Sequence, residues 1–184
     1  MTISPRIAPV AEADRTGEQK QLLGSWGRMN FAAVLVNHPK LYRAFMPVIA
    51  KVIAETDLPP RDRQILVHRT LALSDEVYEA RHHELISYGA GLSDADIEAA
   101  RTDGPSLTPF EHLLVNAADQ LVDTRHLDDA LWAALSERYS QIQMMELLAV
   151  VGVYNMMSML TLGCEIQLED EETFQSFAKQ REYE

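Results

Sequence analysis

Leu147 to Cys164 runs for 18 residues without a formally charged side chain, and this run narrows the possible folds more than any other stretch of the chain. Eighteen residues is about the least that crosses a bilayer's hydrocarbon as a helix. The alternative is a helix in the middle of a helical protein. Gly152, Tyr154, Asn155, Ser158, Thr161 and Gly163 dilute the run, Glu146 and Glu165 bound it, and no cluster of Lys or Arg flanks it. A span anchored at both headgroup layers reads differently. The expectation is a central helix buried on all sides, with no membrane as partner.

The rest of the chain is punctuated for helices, and few stretches alternate as strands do. Residues near 16–24 form a short helix. Pro39 follows Asn37-His38 at a first helical position, with Leu41, Phe45, Val48, Ile49 and Val52 at helical spacing behind it. Leu58-Pro59-Pro60 ends that helix and starts the next, about 61–73, whose Ile65, Leu66, Val67, Leu71 and Leu73 surround most of its circumference and mark it as buried. Ser74-Asp75 is placed to cap a helix that Gly89 terminates. Ser93 with Asp96, Thr108-Pro109 with Glu111, and Ser140 with Gln143 read as capping boxes for three later helices, and another helix runs near 128–138. The fold class is all-α.

With 184 residues, 47% hydrophobic and 24% charged, the chain can bury the core of one compact domain. Its 16 basic and 28 acidic residues leave a net charge of −12, which repels nucleic acid and anionic lipid. Pro5 and Pro9 break the opening residues, so no secretory leader is expected and the cytoplasm is the expected compartment. Cys164 is the only cysteine; an intrachain disulfide, a dithiol couple and a cysteine-rich zinc site are all excluded. Without a glycine-rich phosphate loop or a nucleophile elbow, nucleotide and serine-hydrolase chemistry are not expected either.

Chemistry concentrates in Tyr78-Glu79-Ala80-Arg81-His82-His83. At about 100° per residue, Glu79 and His83 share a helix face with Ile86. Titratable groups beside apolar ones suggest a partly buried wall where pKa values move. Glu79 could orient the His83 imidazole for proton transfer; the same i,i+4 pair could equally be a surface contact of about 0.2–0.5 kcal/mol. A metal is disfavoured, because adjacent His82 and His83 point about 100° apart. His68, on the preceding helix, could face the motif across a hairpin or sit as a satisfied core residue, and Arg69 on that helix offers a fork either for a substrate carboxylate or for a structural ion pair with a carboxylate from elsewhere. Arg81 is the weaker anchor. The methionines at 144, 145, 156, 157 and 159 read as core filler.

Taken together, Leu58-Pro59-Pro60-Arg61-Asp62-Arg63-Gln64-Ile65, Arg69-Thr70, Tyr78-Glu79, His82-His83 and Ala90-Gly91-Leu92-Ser93 resemble the carboxymuconolactone decarboxylase family, whose superfamily includes the alkyl hydroperoxidase AhpD. Asn37-His38-Pro39 and Gly152-Val153-Tyr154-Asn155-Met156 extend the resemblance over roughly residues 30–168. It implies three segments: an N-terminal extension over 1–29, a helical domain over 30–168 and an acidic tail over 169–184. It also implies an AhpD-like homo-oligomer with active sites near subunit contacts.

The family divides at the motif helix. Peroxidase members carry Cys-x-x-Cys-x-x-x-His with a relay glutamate upstream; aligned through His83, the two cysteines fall on Glu76 and Glu79, and the relay acid on Gln64. Without those sulfurs a dithiol peroxidase is not expected. Similarity to the decarboxylase branch implies a cofactor-free loss of carbon dioxide from a small carboxylated ring. In that reading His83 transfers the proton, Glu79 and Gln64 assist it, and Arg69, Tyr78, His82 and His68 bind substrate. Ala80 stands where that branch often has tryptophan. A non-catalytic ligand-binding or assembly role, for which Gln64 in place of the relay acid speaks, is the other expectation.

Overall fold

The computed structural model describes residues 4–181. Residues 1–3 and 182–184, at the outer ends of the N-terminal extension and the acidic tail, lie outside the described residues. The described chain forms ten α-helices and no strand: α1 (Gly17–Leu23), α2 (Asn30–Leu35), α3 (Pro39–Ala54), α4 (Pro60–Ala72), α5 (Tyr78–Gly89), α6 (Asp94–Thr102), α7 (Pro109–Thr124), α8 (Asp129–Ser136), α9 (Gln141–Cys164) and α10 (Glu171–Arg181). Contacts divide it into two compact units, one built from the chain's two ends, up to Ile49 and from Leu160, and one of Ala50–Met159. The long helices α3 and α9 each run from one unit into the other.

In the central unit, α4 is the hub. It starts with Pro60 in its first turn, where a missing N–H costs no bond, and packs on α5, α6 and α7. Its Ile65, Leu66, Val67 and Leu71 are completely buried, as are Ala100 of α6 and Leu114, Ala117 and Ala118 of α7. Each large side chain so buried contributes about 1.5–3 kcal/mol. Leu73, expected in this core, is exposed because α4 ends one residue before it. Val48 is likewise exposed, its place on the buried side of α3 taken by Tyr42 and Met46.

Polar side chains tie the hub to its neighbours. Arg61 donates to Glu111 at 2.6 Å and to Asp96 at 3.2 Å, joining α4 to α7 and α6. Buried Asp62 accepts from the Tyr139 hydroxyl at 2.7 Å and from Arg138 at 3.2 Å. These two motif residues hold α4 in place.

The turn into α5 differs from expectation. Asp75 adopts a left-handed conformation with φ of 51°, and Ser74 turns its hydroxyl back to the Leu71 carbonyl. The cap is Glu76, whose buried carboxylate accepts the N–H groups of Tyr78, Glu79 and Ala80 at 3.0, 2.8 and 3.3 Å. A carboxylate there also meets the positive end of the helix dipole. The exit from α5 turns at Gly91, where φ of 81° suits glycine. The three capping boxes, at Ser93, Thr108 and Ser140, form as their sequences predict.

In the terminal unit, Phe31 to Val36 supply a buried core, and an apolar cavity of about 200 Å³ is lined by Phe31, Leu35, Leu41, Leu160, Cys164 and Ile166. The described part of the acidic tail packs on its own unit: the Glu169 carboxylate accepts the Asn30 N–H at 2.6 Å, Arg28 donates to Ser176, and Phe174 is buried.

The uncharged run lies in α9, the one described helix long and apolar enough to cross a membrane. Burial on all sides does not hold. Met144, Leu147, Val151, Tyr154 and Met157 are buried, while Ile142, Met145, Leu148, Met156, Met159 and Leu162 are exposed. An apolar run records that a helix avoids water, but not which neighbour shields each face.

Candidate active site

The motif helix α5 lies against α4, and this places His83 at the centre of a buried polar chain. His83 is 1% exposed. Its Nδ1 lies 2.8 Å from Gln64 Oε1 on α4, and its Nε2 lies 2.8 Å from the Tyr154 hydroxyl on α9. The His83 and Tyr154 rings meet edge to face, with centroids 4.8 Å apart. Ser87, one turn after His83, donates to the same Gln64 oxygen at 3.2 Å and lies 2.7 Å from His68 Nε2.

The network assigns the protons. An amide oxygen only accepts, so His83 carries a proton on Nδ1; in the neutral imidazole the Tyr154 hydroxyl then donates to Nε2. Ser87 donates to Gln64 and therefore accepts from His68 Nε2–H. Both arms thus end on one carbonyl oxygen. His68 is fully buried, and burial, reinforced by the Arg101 charge, pushes its pKa from 6.5 down to about 3. It is neutral at physiological pH. Two buried polar atoms of this chain, Gln64 Nε2 and His68 Nδ1, have no partner, a costly condition that a bound ligand or water would relieve.

Of the residues expected in the site, Gln64, His68 and His83 belong to this network. Glu79 is buried in the first turn of α5, and Tyr78 and His82, also buried, lie with their rings 4.9 Å apart. Of the two readings of Arg69, substrate anchor or structural ion pair, the structure shows the ion pair. Its Nε and Nη2 form a fork on Asp119 of α7 at 2.6 and 3.0 Å, and it also donates to the Arg101 carbonyl. The geometry a substrate carboxylate needs is already used.

Sequence reasoning missed three residues. Tyr154 and Ser87 reach the network from positions 71 and 23 residues away from their partners His83 and Gln64, and the sequence signal for the first was its place in the Gly152–Met156 segment of the resemblance, with no role attached. Arg63 is the third. It is 7% exposed, donates to Thr56 at 3.1 Å and has an unpartnered Nε. Burial lowers its pKa, and Tyr154 and Glu146 act against that shift. Among the described residues, no group of three or more His, Cys, Asp or Glu is placed to hold a metal ion.

The all-helical fold is AhpD-like, and solved structures share it. An uncharacterized peroxidase-related protein with an alkylhydroperoxidase AhpD core from Ralstonia eutropha JMP134 superposes with a TM-score of 0.77 at 17% identity, over 94% of this chain and 96% of that one. A peroxidase-related protein from Silicibacter sp. TM1040 gives 0.76 at 13% identity, over 95% and 98%. The debrominase Bmp8 gives 0.68 at 15%, over 94% and 96%, and a variant of it has been solved with 2,3,4-tribromopyrrole. No curated protein matches the chain in sequence. Residues 39–105, a segment that holds α4 and α5, match the model of the carboxymuconolactone decarboxylase family.

Proposed function

We propose that the chain is a cofactor-independent lyase, or a related acid–base enzyme, acting in the cytoplasm on a small carboxylated or cyclic metabolite. The observation that carries this reading is the placement of His83, buried and bonded through both nitrogens to uncharged partners. A proton taken from water onto Nε2 gives the imidazolium, which can pass it through the Tyr154 hydroxyl to the carbanion left by loss of carbon dioxide and so return to the neutral form. Arg63 replaces Arg69 as the proposed anchor, because a buried cation with an unpartnered Nε beside Tyr154 suits a substrate carboxylate. Glu79 helps to set the imidazole, and Tyr78 and His82 wall the site. A small substituted ring is also what the Bmp8 structure holds, which supports a cyclic ligand.

Dithiol peroxide reduction is no part of this proposal. Positions 76 and 79 are glutamates, and Cys164 is a lone thiol. The test is a panel of small ring carboxylates assayed for carbon dioxide release. Wild-type protein should turn over at least one of them, and His83→Ala should remove turnover while keeping the helical spectrum. Undiminished turnover by that variant would refute the role of His83. The second reading, a binding protein without turnover, rests on Gln64, whose amide cannot relay a proton as an acid would. Ligand-dependent melting shifts without product would favour it.

A further inference from the structure

We propose that the apolar cavity of the terminal unit is a binding site for a small uncharged apolar molecule, about the size of a substituted benzene, held under a strap formed by residues 6–10. The walls are Phe31, Val34 and Leu35 of α2, Leu41 of α3 and Leu160 of α9. Every lining residue belongs to that unit, and none belongs to the His83 network. The volume is about 200 Å³, whereas a cavity of about 150 Å³ lined by Leu, Ile and Phe already takes up benzene. Protein interiors seldom keep a void of this size. Water gains little from it, because a water molecule needs about two to four polar partners. The polar side chains at the rim are turned to the chain itself: Asn37 Nδ2 donates to the Val34 and Ala8 carbonyls at 2.9 and 3.1 Å, and His38 Nδ1 accepts the Leu41 N–H at 3.2 Å. A charged ligand would give up its hydration against carbon walls, which leaves a neutral one.

The strap is tied down on both sides of the cavity. On one side the Arg6 N–H donates to the Cys164 carbonyl at 2.9 Å, and the Arg6 guanidinium pairs with Glu165 at 2.9 Å. On the other, the Ala8 carbonyl takes the Asn37 bond, and the Val10 N–H donates to the Ala33 carbonyl of α2 at 3.0 Å. Pro5 and Pro9 stiffen the segment by fixing φ. Ile7, between the two sets of ties, lines the cavity and yet stays 44% exposed. An aliphatic side chain beside an apolar void fills it when its backbone is free to move; here the flanking bonds hold it at the edge. A bound ring would cover the remaining face of Ile7 and give the deeper walls the dispersion contacts they lack. Entry requires the Arg6 end of the strap to part. Its ion pair is a surface one, with the Arg6 side chain 68% exposed, and such pairs are weak.

Toluene is the probe. With the full chain it should raise Tm along a saturable curve, and benzylamine, a cation of similar shape, should not. Cys164, the only cysteine, also lines the cavity and is half-buried. Its alkylation by iodoacetamide should slow along the same curve, about tenfold when toluene stands at about ten times its Kd. Leu160→Phe fills the cavity from α9; it should keep the helical spectrum, hold the toluene-free Tm at or above that of wild type and abolish the shift. Ile7→Asp guards against misfolding, because its side chain lies outside the core. It should weaken toluene binding about tenfold with an unchanged spectrum. No Tm shift up to the solubility limit of toluene, or a shift with Cys164 alkylation unslowed, overturns the proposal. So does a shift that both variants keep, or protection of Cys164 that rises with protein concentration without toluene, which would make another chain the occupant.

Discussion

Acidification should weaken this fold through His68 in particular. In the folded chain its pKa is about 3, and in the unfolded chain it returns to about 6.5. Between those values the unfolded state binds the extra proton, so stability falls as pH drops through 6.5 and stops falling near 3. From pH 7.5 to pH 4.5 the loss from this one side chain is about 2.6 kcal/mol, a large part of the 5–15 kcal/mol typical of a domain. Complete burial means that solvent does not discount the figure. The perturbation is His68→Gln, which does not titrate and can still donate to Ser87 Oγ. Urea unfolding followed by circular dichroism at both pH values gives four stabilities. Carboxylates such as Asp96 and Glu111, whose pKa values lie below their usual range, contribute to both chains and cancel in the difference. The wild type should lose about 2.6 kcal/mol more than the variant; pH profiles that run parallel would refute the buried neutral histidine.

Tyr154→Phe removes the donor to His83 Nε2 and should cost about 1–3 kcal/mol by leaving that nitrogen buried and unpaired. An unchanged ¹⁵N shift at His83 Nε2 would count against the bond. Arg69→Met should cost about 1–3 kcal/mol by breaking the fork between α4 and α7, yet leave KM for any substrate found unchanged; a tenfold rise in KM would restore Arg69 as the anchor. Glu76→Ala should cost about 1–2 kcal/mol, with faster amide exchange at residues 78–80 as the specific sign. Protection there equal to wild type would show that the carboxylate is not the cap.

The features legible in the sequence are those whose partners lie within four residues. Thr108 with Glu111 and Ser93 with Asp96 cap their helices as read, because a capping box is complete within its own turn. Long-range partners were not legible. Arg69 gave no sign of Asp119, 50 residues on, and His83 gave none of Tyr154. The i,i+4 spacing of Glu79 and His83 pointed to one partner for the imidazole, but folding adds Gln64 and Tyr154 from two other helices. In α9 the composition was clear and the consequence was misread, since an apolar residue facing solvent and one facing the core look alike in a string of letters.

The Glu76 cap makes a change of chemistry at this site hard to reverse. A thiol placed at that position would remove the carboxylate that three amides of α5 share, loosening the helix that presents His83 just when a nucleophile there would need it fixed. A second thiol at position 79 would also strip the buried acid from the first turn. Turning this chain into a dithiol enzyme would therefore take more than two cysteines. The start of α5 would need a new cap before the first sulfur could be useful, so single substitutions pass through a less stable and inactive protein on the way.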